Sequence, residues 1–342
     1  MTSRDRVIRA LLHQPIDRVP RDLWVAPSVE ALRADEVAEI AFRYPGDLVR
    51  PEFRPPKGIR AKGNPHEVGE HTDAWGCVWE VSERGCPGRL AASPLADLGQ
   101  LGDYRLPWEL AEKANLAAVN RGVAATPRFV LAATEVRPFE RLQLLRGPEA
   151  ARADLAAGAR PIRDLLDMLH DFFCREIELW AASDVDGAAF QDDWGPAGGL
   201  PIPVQAWREL FRPLYREYCE ILHARDKFAF FHSGGDLSAI FGELVEVGVD
   251  AIAADYWAMD LEGLAEEWRG RVTFWGGIDP KRLAPPGTPD DVRAAVRRLR
   301  AVLDVGHGGV IARCDWPPQT PFDHVAAFFE TWLAPLPMHA QR

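Results

Sequence analysis

Residues 228–236 read FAFFHSGGD: an apolar run that stops at His232, followed by a serine, two glycines and an aspartate. A histidine in this place suits proton transfer or metal ligation, because its charge changes near neutral pH and its neutral ring offers a lone pair. The competing reading is a histidine hydrogen-bonded to a neighbouring strand end. Gly234 and Gly235 let the backbone turn sharply towards a ligand, and a helix starting next would favour an anion. Asp236 is accounted for as the cap of that helix. In QDDWG, Asp192 and Asp193 are neighbours, so a regular strand would turn them to opposite faces. One suits a general base or a substrate anchor, and the bland reading is a turn carboxylate. Cys314 lies on a strand between Arg313 and Asp315, where a lone cysteine is usually core, but this one sits at the mouth end. Glu135 and Arg137 end TEVR, where Arg137 suits a carboxylate clamp or a rim salt bridge. Asp255, Tyr256 and Asp279 close further strands as candidate substrate contacts, although Asp279 precedes Pro280 and serves equally to organise a loop. Trp194, with Trp75, Trp79 and Trp316, suits a pocket for a flat or methyl-bearing ligand, or plain packing.

These residues matter together only if strands bring them to one place. After Asp236, apolar residues fall at Leu237, Ile240, Phe241, Leu244 and Val245, the pattern of an amphipathic helix stopped by Gly248. Residues 249–256 then read as a buried strand. A helix capped by Asp260 follows, and then a strand over 272–279. Thr288-Pro289-Asp290-Asp291 opens another helix with a cap, an early proline and early carboxylates. A strand over 308–316 and a closing helix from Phe322 end the series. Strands and helices that alternate over short links imply parallel strands. Expected strands lie near 21–26, 47–53, 128–135, 186–191, 228–232, 249–254, 272–276 and 309–314. Eight of them predict an α/β fold of the (β/α)8 TIM-barrel type, whose active site gathers at the C-terminal strand ends. An open doubly wound sheet is the alternative, disfavoured by the lack of a GxGxxG turn. Residues 1–335 are expected to form this one barrel, with an insertion at 57–120 containing a hairpin near 75–82, and 336–342 as a tail. The insertion is expected to lie over one barrel end; lid and dimer contact both stay open for it, as does a homodimer.

The 342 residues carry a net charge of −11 without a block of like charges, which argues against nucleic acid or an anionic membrane as partner. No segment is apolar enough for a signal peptide or a span. Five cysteines without CxxC spacing suggest a reducing cytoplasm.

RDRVIRALLHQPIDRVP, DAWGCVWE, FQDDWG, FFHSGGDLSAIFGELVEVGVDAI, TFWGGIDPKRLAPPGTPDDVRAAVRRL and CDWPPQTP resemble the uroporphyrinogen decarboxylase superfamily. The likeness runs to about residue 332, is strongest over 186–332, and is most specific in FWGGID. It implies a (β/α)8 barrel. True decarboxylases of uroporphyrinogen carry an arginine-rich RQAGRY-type motif, and the region after Pro20 reads RDLWVAPSVEALRADE instead. The resemblance is therefore closer to the methyltransferase-like branch. Corrinoid-linked methyltransferases of that branch bind zinc through His-x-Cys and a distant Cys, and the zinc activates a thiol. Here His232 matches the histidine and Cys314 the distant cysteine, but Gly234 replaces the middle one. Zinc on His232 and Cys314, with oxygen ligands from Asp236, Glu135 or Asp192, and no cofactor at all both stay open.

The leading expectation is methyl transfer from a small methylated or methoxylated substrate to a corrinoid protein or a thiol, with His232 and Cys314 central. The runner-up is a cofactor-free lyase that decarboxylates a different acid, with Arg137 holding a carboxylate and Asp192 or Asp193 moving a proton. A barrel that only binds a ligand is the third.

Overall fold

The computed structural model describes residues 1–84, 88–196, 199–278 and 280–333. The expected eight parallel strands are present: β1 (Arg21–Val25), β2 (Leu48–Val49), β3 (Phe129–Ala133), β4 (Gly187–Gln191), β5 (Phe228–His232), β6 (Ala251–Ala253), β7 (Thr273–Gly276) and β8 (Val310–Trp316). Each pairs with its chain neighbour from β2 to β8, and β8 pairs with β1. The remaining seam, between β1 and β2, is closed at its foot. Asp47 N donates to the Arg21 carbonyl at 2.8 Å, and Arg21 N donates to the Asp47 carboxylate at 2.8 Å. Arg6 and Arg18 neutralise that fully buried carboxylate at 2.6 and 2.7 Å. The sheet is thus a (β/α)8 barrel and not an open doubly wound one.

Side chains alternate between two apolar layers, as the pleat requires. Phe129, Leu131, Ala189, Phe230, Ala251, Trp275 and Ile311 fill the lumen, joined from below by Val7 and Leu11 of the first helix, Ser3–Leu11. Phe190, Phe231, Ile252, Phe274, Ala312, Cys314 and Trp316 face outward into the layer shared with the helices. This parity decides which strand-end residues reach the mouth.

The capping signals correspond to real helix starts at Asp260, which accepts from Gly263 N, and at Thr288, which forms a capping box with Asp291. The helix expected after Asp236 begins later, at Phe241. The Asp236 carboxylate instead accepts from Ser238 N at 2.8 Å, a local turn that competes with the helix. Gly248 ends that helix at φ +102°. Within 57–120 the hairpin is larger than expected: Gly69–Thr72, Val78–Val81 and Arg89–Ala92 form a three-stranded antiparallel sheet. Asp279 and the tail 336–342 lie outside the described residues. Among the described residues no helix is long and apolar enough to cross a membrane.

Candidate functional site

β4 and β5 run in register, with Gln191 opposite His232, and the loops that follow stay pressed together. Asp192 N donates to the His232 carbonyl at 3.2 Å, and Trp194 N to the Ser233 hydroxyl at 3.0 Å. Gly195 and Gly235 then form an isolated parallel bridge. A methyl group on Gly235 would overlap the Gly195 carbonyl, and φ at Gly235 is +69°. The final glycines of QDDWG and of HSGG are therefore the means by which two backbones cross at contact distance.

His232 shares the inward parity of Phe228 and Phe230, so its ring stands at the top of the lumen. It borders two adjoining cavities. The larger, about 220 Å³, continues past Asp255, Trp257, Trp275, Arg313 and Asp315. The smaller, about 160 Å³, is lined by Glu140, Gln191, Asp192 and Asp193. Burial, and then the positive charges of Arg313 and Arg137, push the His232 pKa down to about 3. Its imidazole is neutral at physiological pH, so it accepts or donates a hydrogen bond as a polar neutral group.

Arg313 is 5% exposed. Its guanidinium lies over the rings of Trp24 and Trp275, 4.5 and 4.7 Å from their centroids, and donates to Asp315 at 2.8 Å. Both indoles donate in turn to one buried carboxylate, Asp22, at 2.8 and 2.9 Å. Arg50 pairs with Asp22 at 2.9 Å. Burial opposes the Asp22 charge, but Arg50 and these donors together hold its carboxyl below the ordinary range. The result is a guanidinium fixed by its rings and by Asp315, beside a neutral histidine, in a cavity that Asp255 and Asp315 also line.

The candidate residues separate accordingly. His232, Asp192, Asp193 and Asp255 border the cavities. Arg137 acts on His232 from the rim, 3.5 Å from Glu135 and 3.4 Å from Glu140, and its guanidinium donates to the Gln191 amide oxygen once that amide is turned. Glu135 does not join them. It borders a separate aromatic cleft with Phe53, Trp75, Phe172, Trp180 and Glu176. Trp194 is a core residue, stacked on Phe139 with centroids 4.1 Å apart and donating to Tyr215 at 2.7 Å. Tyr256 borders the larger cavity, but its hydroxyl is donated to the Ile252 carbonyl and is not free for substrate.

Asp192 is 2% exposed and fully engaged. Its carboxylate accepts from Phe139 N at 2.9 Å, Glu140 N at 2.7 Å and the Tyr215 hydroxyl at 2.6 Å. Phe139 and Glu140 open the helix Pro138–Arg146, so Asp192 caps that helix from across the barrel rim. Burial pushes its carboxyl up to about 7 against those three bonds. Its three hydrogen bonds fix it at the helix start while it also borders the smaller cavity.

Cys314 requires the clearest correction. It is fully buried on the outward face, between Arg313 and Asp315, which face the cavity. Burial holds its thiol well above its ordinary pKa. His232 and Cys314 sit on opposite sides of the sheet and cannot share an ion. With Gly234 offering no donor and two arginines bearing on His232, these residues do not fit a zinc ion at the mouth. Asp236 spends its carboxylate on the turn at Ser238. Arg313, Trp275 and Asp22 are functional candidates the sequence reading missed. The signal available was parity: an inward Ile311 makes Arg313 and Asp315 inward too.

A pH prediction follows from the depressed histidine. The unfolded chain takes up a proton below about pH 6.5 that folded His232 refuses until about pH 3. Its contribution to stability is complete above the unfolded value and is lost as pH falls through that window. Denaturant titrations across it should show His232→Gln flattening the acid limb by up to ~1.4 kcal/mol per pH unit. An unchanged limb would show that His232 is protonated in the fold.

Residues 97–333 match the model described as uroporphyrinogen decarboxylase (URO-D), and the chain belongs to that family. Among its relatives is the methylcobamide:CoM methyltransferase MtbA of Methanosarcina mazei, 21% identical over 94% of both chains. MtbA of Methanosarcina acetivorans is also 21% identical over 94% of both. A uroporphyrinogen decarboxylase of Xanthomonas campestris pv. campestris is 27% identical, over 43% of this chain and 41% of its own. A solved methyltransferase from Methanosarcina mazei superposes with a TM-score of 0.72 at 14% identity, covering 97% of this chain and 98% of that one.

Proposed function

We propose that this protein transfers a methyl group from a small methylated or methoxylated compound to a corrinoid or thiol acceptor, in the cavity beneath His232. The observation that carries the proposal is the extent of the likeness. The methylcobamide:CoM methyltransferase match spans 94% of both chains, whereas the decarboxylase match stops at 43% of this one. The site adds chemical support. Methyl transfer to a thiol needs the thiolate, whose electron pair forms the S–CH3 bond as the bond to the carrier breaks. A guanidinium fixed in the cavity wall favours that anion without a zinc ligand set. Neutral His232 hydrogen-bonds the bound group, and Asp193 and Asp255 line its approach.

The test is a spectroscopic methyl-transfer assay, with methylcobalamin against a thiol panel and with cob(I)alamin against methoxylated acids. His232→Gln and Arg313→Lys should each lower kcat/KM by about 10- to 100-fold, ~1.4–2.7 kcal/mol. The lysine variant keeps the charge but loses the planar stack and the fork. Activity that ignores both changes would remove the cavity from the reaction.

A second reading is decarboxylation of a small acid. It is favoured by the two guanidiniums, Arg313 and Arg137, whose positive charge acts at His232. Carbon dioxide release from an acid panel, with no methyl transfer in the first assay, would select it.

A further inference from the structure

Among the described residues, the ligand set for a divalent ion gathers in the outer helix layer and not at the mouth. His170 and Cys174 lie four residues apart on the helix Arg160–Ala181, on one face. Glu217 faces them from the neighbouring helix Arg212–His223. One ring nitrogen, the thiol sulfur and a carboxylate oxygen all lie within 4.8 Å of one another. Nε2 of His170 is 3.0 Å from Glu217 Oε2, and the sulfur is 3.6 and 3.7 Å from the two ring nitrogens.

We propose that His170, Cys174 and Glu217 form a zinc site that clips these two helices together, with water as the fourth ligand. Three features favour it. The donor set is nitrogen, sulfur and oxygen, which suits Zn2+ and does not suit Mg2+ or Ca2+. The Tyr218 hydroxyl lies 3.2 Å from His170 Nδ1, where it accepts that N–H and leaves the Nε2 lone pair for the metal. The side chains are already gathered: His170 is 17% exposed while Glu217 is 55% exposed, so an ion can enter from solvent without opening the fold. Binding forms Zn–N, Zn–S and Zn–O bonds and releases the thiol proton to solvent, with no change of oxidation state. The two helices lead into β4 and β5, the strands that carry Asp192 and His232, so the clip ties the outer layer behind the mouth.

The experiment uses the full chain, stripped with chelator and titrated with Zn2+, and with Co2+ as a spectroscopic probe. We expect one zinc per chain and a thiolate-to-cobalt charge-transfer band that disappears in Cys174→Ser. Zinc affinity should fall by at least about 10-fold in His170→Ala and in Glu217→Gln. Zinc should raise the melting temperature of the wild type and leave that of Cys174→Ser unchanged. His232→Ala and Cys314→Ala should keep the metal. Metal-free melting of each variant shows whether it folds. If Cys174→Ser fails to fold, Tyr218→Phe provides the test through weakened zinc binding with the cobalt band retained. Zinc that survives the His170→Ala, Cys174→Ser double variant, or that leaves with His232→Ala, would overturn the assignment. So would wild-type protein that takes up no zinc.

Discussion

Gly235→Ala is expected to destabilise the protein by more than ~4 kcal/mol, or to prevent folding, while Gly234→Ala beside it changes stability by less than ~1 kcal/mol. The two glycines differ in what a methyl group would meet. At Gly235 it would overlap the Gly195 carbonyl, a backbone atom that cannot step aside, and φ is +69°. A non-glycine residue held at such an angle costs roughly 1–3 kcal/mol before any clash. At Gly234 the nearest atom is Asp193 Oδ1 at 3.8 Å, an ordinary contact, and φ lies outside the left-handed region. Urea denaturation of both variants, with m values to confirm two-state behaviour, reads the difference. Equal losses in the two would mean that the β4 and β5 loops do not cross as described. Because Gly234 borders both cavities, its variant should instead show its effect in activity.

That contrast also shows where sequence reasoning reached and where it stopped. The barrel was legible because its signals are local. Apolar runs of strand length alternate with helices whose Asp260 and Thr288 caps can be read directly. The mouth was half legible. Parallel strand ends must converge, so His232, Asp193 and Asp255 could be placed near one another without coordinates. Which neighbour points inward could not be placed, because a strand read one residue out of phase exchanges its two faces. Cys314 was favoured as chemically reactive, yet Arg313 occupies the inward position. What Trp194 and Tyr256 do with their polar atoms was hidden for a different reason. Their polar atoms are taken up by Tyr215 and Ile252, partners whose proximity depends on tertiary packing. The helix expected from Asp236 began late because a serine two residues on offered the carboxylate a nearer donor. The crossing at Gly195 and Gly235 was invisible, since a glycine in sequence does not say which backbone it lets in.

The adjacent aspartates provide the other large effect. Asp192→Ala should cost about 3–5 kcal/mol, the loss expected when one side of a buried polar cluster is deleted. Asp193→Ala should change stability by less than ~0.5 kcal/mol, because its side chain is exposed. Removing the Asp192 carboxylate leaves Phe139 N, Glu140 N and the Tyr215 hydroxyl without an acceptor, each buried donor costing roughly 1–3 kcal/mol. Partial solvent access to the helix start keeps the sum below the simple total. Tyr215→Phe deletes one donor and keeps the ring, so its loss should be smaller, and a double-mutant cycle with Asp192→Ala should show strong coupling. Activity separates the pair in the opposite direction. Asp193 lines the smaller cavity beside His232 and holds no helix in place, so its variant should fold normally and lose turnover. Asp192→Ala should lose turnover only in step with the fraction unfolded, and recover it under stabilising conditions. If Asp193→Ala is fully active while folded Asp192→Ala is inactive, the proton-handling carboxylate is Asp192 after all, and the hydrogen bonds that fix it at the helix start would serve to set its pKa.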